Sequence, residues 1–532
     1  LYGFHHEYLK RGNKITGSNK IVIAAFIGIL LIGLFLRLYP LVHWSGIFAG
    51  PDVYIYFSVA TQTVAHNFTI TSLLSGVPPR AYAEFPGLVL FPAYISAITH
   101  ISIYNIIYYS PVLMGILGII AVYLLTRELI QRKRWPALMA AFLYAVLPAV
   151  LYRSLAGEYR GEVFVPVFLA FAMLLLIKMN RKNAVLYGAG FVILTALSLV
   201  WWSGGFYALA APMVFALAAI MFYVLPEVIK AANNSILRNR LTSVFFIVAF
   251  ICGYPIYAIL IPQLQHIAGG YTTFVASDVA ELAPTSAAWI LSYYNWVYIG
   301  AILGLAMLVY FGNWEKFHKP YYAVLALALP SIIMETFAVR WLILFTVPAC
   351  VLAAYFVYAI FTMLKVWEKR QMFIAIGLCA IAFASGLTFM LRYQPADYLN
   401  PQFLSALTWM KANTPPNSTV LTMWPDGSVV EGWAARQSYT DSIMSQRPDI
   451  IVPFERFLYA KAGNYSYIQN ISPSYLLVRQ TWKLETTGIL TELGYPLNKS
   501  INGTNFQQLL NGTAPYPIVF KNNDTIIYKI RG

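Results

Sequence analysis

Eleven apolar runs, each long enough or nearly long enough to cross a bilayer, constrain this chain more than any other feature. A transmembrane helix needs about 20 mostly apolar residues. The runs lie at 20–43, 105–125, 135–152, 163–179, 184–202, 205–224, 243–262, 290–311, 321–338, 341–363 and 372–391. Only 11% of the 532 residues are charged, whereas a soluble protein carries roughly 25%. The sequence therefore predicts an all-α membrane protein with many spans.

The charge of the connecting loops predicts which side of the membrane each loop faces. The short basic connections are 127–134, 178–182, 230–240, 316–319 and 365–370. Because basic loops tend to stay in the cytoplasm, the excess of 36 Lys and Arg over 21 Asp and Glu indicates topology rather than nucleic-acid binding. Loops 44–104 and 263–289 are then expected outside, together with segment 153–162 and everything after 391.

Residues 392–532 have a different composition, less apolar and rich in Asn, Ser, Thr and Pro. Short runs such as Tyr475–Val478 and Thr525–Ile530 are typical of strands. We predict a soluble mixed α/β domain here, following a transmembrane domain over 1–391. Its Asn-x-Ser/Thr triplets begin at Asn417, Asn464, Asn470, Asn498, Asn502, Asn511 and Asn523. Such a segment collects some triplets by chance, but their density favours a domain exposed where N-glycans are attached.

Charged residues occur at the predicted outer ends of several spans, where an unpaired charge is costly and often functional. Asp52 follows the first run, Glu158 and Glu162 lie between the third and fourth, and Glu281 precedes the eighth. Arg340 begins a later span on the same side. Each has an ordinary explanation, such as turn chemistry for Asp52, a helix start for Glu162 or snorkelling for Arg340. Their shared side favours a joint role.

The three cysteines, Cys252, Cys350 and Cys379, all lie inside apolar runs. They are interpreted as small core hydrophobes, which predicts neither a disulfide framework nor a thiolate metal site.

A polar block at 418–441 contains a strand-like run, Val420–Met423, followed by Trp424-Pro425-Asp426-Gly427. Pro-Asp-Gly is ordinary turn chemistry, so a surface turn with a packed Trp is one interpretation. The other is a tight turn that presents an indole and a carboxylate side by side and holds a small polar side chain.

In their order along the chain, these blocks resemble the catalytic subunits of archaeal-type oligosaccharyltransferases. Asp52 resembles the metal-binding Asp that opens the family's first external loop, and Ala156–Glu162 resembles its second acidic motif. Asp278-Val-Ala-Glu281 resembles the external-loop motif with the catalytic Glu. Arg340 resembles the Arg that begins a span and contacts the acceptor and the donor phosphate. The block at 418–441 resembles the region around the family's Trp-Trp-Asp-x-Gly.

The chain departs from the family pattern in three places. Arg160 occupies the place of the first Asp in the second motif, so Glu162 carries over while Glu158 either compensates or neutralises the Arg. With Gly427 aligned, Met423 replaces the first Trp, Pro425 replaces the Asp, and Asp426 comes one place late. Lys483, in Gln-Thr-Trp-Lys, is the nearest match to the family's lysine motif and lacks the leading Asp.

The resemblance implies a GT-C membrane fold of about 11–13 transmembrane helices. It also implies an enzyme that transfers an oligosaccharide from a dolichyl (polyprenyl) phosphate or diphosphate to Asn of Asn-x-Ser/Thr. The implied residues are Asp52, Glu281 and Arg340 for catalysis, Asp52, Glu162 and Glu158 for Mn²⁺ or Mg²⁺, and Trp424, Asp426, Gly427 and Lys483 for the acceptor. The expected partners are the lipid-linked donor, acceptor polypeptides and membrane lipid, at an extracytoplasmic active site.

Two alternatives remain open from the sequence. A polyprenyl-phosphate-dependent transferase acting on Ser/Thr or lipid acceptors would share the outward acidic residues but need no sequon-binding turn. A multi-span transporter would instead carry mid-span polar residues or mirrored broken helices, and the sequence has no such internal repeat.

Overall fold

The computed structural model describes residues 19–43, 48–68, 86–130, 133–180, 182–202, 285–311, 319–335, 339–366, 368–393, 399–440, 448–482 and 502–531. In its first 393 residues the described helices are α1 (Asn19–Leu38), α2 (Pro40–His43), α3 (Pro51–Ala65), α4 (Pro86–Thr99), α5 (Ile103–Leu129), α6 (Arg134–Val146), α7 (Pro148–Ser154), α8 (Gly161–Lys178), α9 (Ala184–Trp201), α10 (Ala287–Tyr294), α11 (Trp296–Phe311), α12 (Lys319–Glu335), α13 (Leu342–Met363) and α14 (Glu368–Arg392), with a 3₁₀ turn at Val339–Trp341.

The described C-terminal part mixes short helices with strands. Its elements are α15 (Pro401–Asn413), β1 (Thr419–Leu421), α16 (Trp424–Val429), a π-helical turn at Val430–Ala434, β2 (Gln437–Ser438), α17 (Pro448–Tyr459), α18 (Ser466–Ile471), β3 (Tyr475–Arg479), α19 (Asn505–Asn511), β4 (Ile518–Lys521) and β5 (Thr525–Lys529). The prediction of a mixed C-terminal domain is thereby confirmed.

The membrane character predicted from the apolar runs is confirmed. Among the described residues, six helices are long and apolar enough to span a bilayer, namely Lys20–Val42, Ile103–Leu129, Gly161–Lys178, Ala184–Trp201, Leu342–Met363 and Arg370–Arg392. The number rises to eight if two bent helix pairs each form one span. The runs predicted at 205–224 and 243–262 lie outside the described residues, as does Cys252. Cys350 is buried and Cys379 partly buried, both as free thiols.

Two runs predicted as continuous spans are broken. The run at 135–152 bends by 55° between α6 and α7. Leu147, held extended at φ −66° and ψ 125° before Pro148, separates the two helices, because a residue that precedes proline avoids helical geometry. The run at 290–311 bends by 97° between α10 and α11, where Asn295 takes a positive φ of 49°.

Segment 88–103, which belongs to the loop 44–104 predicted to lie outside, is mostly helical. It forms α4, a short apolar helix of 14 residues that packs on α3. The glycine near its start, Gly87, makes close packing possible: an added Cβ would lie 2.7 Å from the Trp201 ring. The segment therefore covers the helix that follows the first span.

The C-terminal strands form one sheet in the order β2-β1-β3-β5-β4, parallel from β2 to β3 and antiparallel from β3 to β4. Its two faces enter different cores, as the two-residue period of a strand requires. Leu477 and Ile527 point into a cluster shared with α3, α5 and α8, whereas Leu476 and Val478 point into a cluster with α17 and α19. The shared cluster joins the C-terminal domain to the membrane helices.

Candidate active site

Asp52 is positioned by the start of α3. Gly50 is extended at the N-cap, Pro51 opens the helix, and Asp52 occupies its first turn, where a negative charge is favoured. The next four side chains, from Val53 to Tyr56, are buried. The Asp52 side chain retains 31% of its exposure, so a buried helix holds a carboxylate that solvent can reach.

The second acidic segment, 156–162, is held by backbone hydrogen bonds to three parts of the chain. Ala156 donates to the Arg37 carbonyl at the end of α1, and Gly157 donates to the Tyr108 carbonyl in α5. The Gly157 carbonyl accepts from Ala49, just before α3. Gly157 has a φ of 87°, which favours glycine. These bonds place the segment beside Asp52, as the predicted topology requires.

The side chains of this segment surround a guanidinium. Arg160 Nη1 lies 3.7 Å from Asp52 Oδ2, and Arg160 Nε lies 3.5 Å from Glu158 Oε2. The Tyr393 hydroxyl donates to Glu158 Oε1 at 2.7 Å. Glu162 lies in the first turn of α8 and is 2% exposed. Gly161 lets this turn approach the end of α9, since an added Cβ would lie 2.3 Å from the Trp201 carbonyl oxygen.

The predicted metal ligands do not fit a metal ion as they are arranged. Within the described ranges no group of three or more His, Cys, Asp and Glu residues is placed to hold one. Asp52 and Glu158 instead face Arg160, which is a cation and offers no acceptor atom. The departure at Arg160 thus brings a positive charge to the position expected for the metal.

The motif at 424–427 is a helix start and not a tight turn. Pro425 lies in the first turn of α16, and Gly427 packs so closely that an added Cβ would lie 1.5 Å from the Thr440 carbonyl oxygen. The Trp424 side chain is partly exposed, but Asp426 is 1% exposed. The prediction of a tight turn that presents an indole and a carboxylate side by side is therefore wrong.

The Asp426 carboxylate is bonded within the domain. Its Oδ1 accepts from Arg479 Nη1 and its Oδ2 from Trp482 Nε1, both at 2.7 Å. Burial raises the pKa of the Asp426 carboxyl, and the adjacent Arg479 guanidinium opposes that shift. Arg479 also donates through Nε to Asp524 at 2.9 Å. The role of Asp426 in this structure is to fix α16 to β3.

The membrane helices and the C-terminal domain meet at α3. An added Cβ at Gly432 would lie 2.5 Å from the Tyr54 carbonyl oxygen, and the rings of Tyr54 and Trp433 lie 6.4 Å apart. The helix α3 also packs against α16. Residues more than 370 positions apart in the sequence, near Asp52 and near Trp424, are therefore brought together at one helix.

Other predicted residues are only partly described. Glu281, Lys483 and Asn498 lie outside the described residues. The backbone of Arg340 is in the 3₁₀ turn that precedes α13, but its side chain is not described. The other six sequon asparagines are exposed: Asn417, Asn464, Asn470, Asn502, Asn511 and Asn523.

Sequence reasoning missed Tyr393, Arg479 and Gly432. Arg479 had a detectable signal, since it ends an apolar strand whose five residues are all buried. A charge there needs a buried partner. Tyr393 and Gly432 carried no comparable signal, because aromatic residues and glycines are frequent throughout the chain.

Comparisons with known proteins show which family and which fold the chain resembles. The family described as oligosaccharyl transferase STT3, N-terminal, matches residues 20–282. Dolichyl-phosphooligosaccharide-protein glycotransferase 1 of Pyrococcus horikoshii is 28% identical over 217 residues, which is 39% of this chain and 22% of that protein. The matched residues span less than a quarter of the length of that relative.

Solved structures share the fold over most of the chain. The AglB oligosaccharyltransferase of Archaeoglobus fulgidus, in complex with an inhibitory peptide and a dolichol-phosphate, matches with a TM-score of 0.71 and 16% identity, covering 94% of this chain and 79% of that one. An oligosaccharyltransferase from the same organism, in complex with Zn and sulfate, matches with a TM-score of 0.66 and 17% identity over the same shares. The fold is that of a GT-C glycosyltransferase. Over residues 20–282 the chain is similar to the oligosaccharyl transferase STT3 family.

Proposed function

We propose that this protein transfers an oligosaccharide from a dolichyl or other polyprenyl carrier, as phosphate or diphosphate, to the side-chain amide of Asn in Asn-x-Ser/Thr. The observation that carries the proposal is the convergence on α3 of the acidic segment 156–162 and the helix that begins at Trp424. The names of the relatives support it, since one is a dolichyl-phosphooligosaccharide-protein glycotransferase and another was solved with a peptide and dolichol-phosphate.

The chemistry requires activation of a poor nucleophile, because the lone pair of an amide nitrogen is delocalised. In the proposal Asp52 and Glu281 each accept one N–H of the carboxamide and hold it out of conjugation. The partial exposure of the Asp52 carboxylate supports this role, since an acceptor side chain can reach it. Arg340, in the 3₁₀ turn that precedes α13, supplies fixed positive charge towards the departing phosphate.

The predicted cation, Mn²⁺ or Mg²⁺, does not enter these steps. Asp52 and Glu158 face Arg160, and Glu158 also accepts from Tyr393. The positive charge beside Asp52 therefore comes from the chain itself in the geometry described.

Acceptor binding is assigned mainly to Trp424, which is partly exposed and begins α16, the helix that packs on α3. Asp426 and Gly427 support it from within, through the Arg479 ion pair and the close contact with Thr440. Lys483 follows Trp482, the residue that donates to Asp426, and is proposed to contact the hydroxyl residue of the sequon. Discrimination by hydroxyl contacts arises because a missing hydroxyl leaves polar partners unpaired.

The protein is an integral membrane protein. We further propose the division into a transmembrane catalytic domain, 1–391, and a C-terminal domain, 392–532. Both the site and the C-terminal domain are assigned to the extracytoplasmic side, because the short basic loops lie at the opposite ends of the spans. On that side the exposed sequon asparagines make the protein an acceptor for its own reaction.

The test is a transfer assay with purified full-length protein, a lipid extract from its source and a fluorescent Asn-x-Thr peptide, run with and without Mn²⁺. The expected product is a glycopeptide with a mass shifted by the donor oligosaccharide. A matched Gln-x-Thr peptide and Glu281→Ala protein are expected to give none.

Transfer to the Gln peptide, or none to the Asn peptide with a verified donor and folded protein, contradicts the proposal. Serine, threonine and lipid-sugar acceptors in the same assay then test the alternative transferase.

A further inference from the structure

The guanidinium of Arg160 packs closely against Gly50, Asp52 and Glu158. Gly50 provides the space, since an added Cβ would come within 2.8 Å of Arg160 Nη2. Asp52 lies at 3.7 Å on one side and Glu158 at 3.5 Å on the other. The Arg160 side chain is 15% exposed and the Glu158 side chain 4%. The start of α3 and the segment 156–162 thus enclose one cation.

This arrangement disfavours a divalent ion on Asp52. Mg²⁺ and Mn²⁺ bind oxygen ligands at about 2.1 Å, so an ion on Asp52 Oδ2 would lie within about 6 Å of Arg160 Nη1. That separation is shorter than the screening length of about 8 Å at physiological ionic strength. Arg160 cannot reduce the repulsion by losing its proton, because the guanidinium stays charged in proteins. Glu158 is also engaged, since it accepts from Tyr393.

We infer that Arg160 is a built-in cation that replaces a divalent metal beside Asp52. This inference rests on the proposed transfer reaction for its catalytic meaning. The guanidinium supplies fixed positive charge at the position that the family resemblance gives to a metal, and it neutralises Asp52 without a soluble ion. The wild-type protein therefore binds no Mn²⁺ at Asp52, and its transfer reaction does not depend on Mn²⁺ or Mg²⁺.

The inference makes a directional prediction for substitutions at one position. Arg160→Asp removes the guanidinium and adds a carboxylate near Asp52 and two residues before Glu162, which increases the number of hard oxygen ligands there. Arg160→Lys keeps the positive charge. Lys182→Asp is the matched control, because it makes the same type of charge change at an exposed residue in the turn that follows α8.

The first measurement is Mn²⁺ binding, followed by the loss of the free-ion electron paramagnetic resonance signal on titration of the full-length protein in detergent. Wild type, Arg160→Lys and Lys182→Asp are expected to bind none through Asp52. Arg160→Asp is expected to bind one Mn²⁺, and Arg160→Asp/Asp52→Asn to lose it. The inference is overturned if the wild-type protein binds one Mn²⁺ and Asp52→Asn abolishes that binding, a result that needs no Arg160 variant to fold.

The second measurement is peptide transfer in chelator and in Mn²⁺. Wild-type transfer is expected to differ by less than about twofold between the two conditions, whereas Arg160→Asp is expected to be about 100-fold slower in chelator and to recover in Mn²⁺. Chelator-sensitive wild-type transfer contradicts the inference. Absence of transfer in every condition counts against the proposed function alone, because the binding titration decides the place of Arg160 independently.

Discussion

The described residues contain two clusters of one arginine and two carboxylates, and these differ in burial and in the separation of their charged groups. The loop cluster joins Arg160 to Asp52 and Glu158 at 3.7 and 3.5 Å, with the Asp52 side chain 31% exposed. The domain cluster, Arg479 with Asp426 and Asp524, has separations of 2.7 and 2.9 Å. Arg479 and Asp426 are each 1% exposed, and the guanidinium also stacks on Phe403.

The difference separates structural from functional electrostatics. A closed pair that is 1% exposed presents no group to a ligand in solvent, and removing one partner leaves an uncompensated buried charge. A longer pair that reaches solvent contributes little to stability, so its groups can exchange partners at small cost. Composition is nearly identical in the two clusters. Burial and distance decide which of them can take part in a reaction.

The largest expected effect is on the domain cluster. Arg479→Ala should lower the free energy of unfolding of the C-terminal domain by about 3–5 kcal/mol, because Asp426 and Asp524 lose their shared partner in a buried site. Thermal unfolding of the full-length protein, followed by Trp fluorescence, measures the change. Arg531→Ala, at an exposed Arg, is the control. Equal melting temperatures for the two variants would remove the distinction between the clusters.

The loop cluster should respond in the opposite way. Asp52→Asn is expected to slow peptide transfer by about 100-fold or more, because Asp52 acts on the reacting amide. Its cost in stability should stay within about 1 kcal/mol, since the pair is partly exposed. Initial transfer rates and melting curves measured on the same preparation provide both numbers. A large loss of stability with little loss of rate would make Asp52 a structural residue.

The contact between α3 and the C-terminal domain can be changed without altering either charge cluster. Gly432→Ala should cost about 1–3 kcal/mol in packing, because its Cβ would lie 2.5 Å from the Tyr54 carbonyl oxygen in α3. Separation of the domain from α3 is expected to slow transfer by about 10-fold or more, since small misplacements of reacting groups are costly. Gly377→Ala is the control, because that glycine faces open space. Unchanged transfer by Gly432→Ala would show that the two regions work independently.

The smallest effect is expected from Trp433→Phe, at the contact between α3 and the C-terminal domain. Trp433→Phe keeps most of the ring that faces Tyr54 and removes the indole bond to Thr408 Oγ1, which is 3.1 Å long. A single half-exposed hydrogen bond should contribute about 0.5 kcal/mol, and transfer should remain near the wild-type rate. Thermal unfolding and initial transfer rates measure the changes in stability and in activity. A loss comparable to that of Gly432→Ala would assign the effect to the Trp433 bond instead of the glycine contact.

Hydropathy predicted the uninterrupted spans well and the broken ones poorly. The runs that became α5 and α13 were found to within a few residues, because a long apolar segment has no other stable state in a bilayer. The bends were not predictable from proline alone. Pro148 begins a new helix, whereas Pro166 and Pro348 lie inside α8 and α13 without ending them. Neighbouring helices decide whether a proline breaks a membrane helix.

The site was predictable as a location but not as a set of contacts. The alternation of loop charges was sufficient to predict Asp52, Glu158 and Glu162 together. It could not predict that Asp426 is buried, because its partner Arg479 lies 53 residues away and is brought near by the parallel pairing of β1 with β3. Contacts of that kind depend on register, which a local motif does not contain. The wrong prediction of a tight turn at Trp424 has the same origin.

The position of β5 in the sheet has a consequence for biosynthesis. This strand lies between β3 and β4, and Asp524, which directly precedes it, completes the bonds around Arg479. During synthesis, the support beneath α16 is therefore incomplete until residues 524–529 have emerged. By then Asn417, Asn464, Asn470, Asn502 and Asn511 have already been translated. In the proposed reaction, a nascent chain cannot yet glycosylate itself, so glycans added to it before folding come from an older, finished copy of the enzyme.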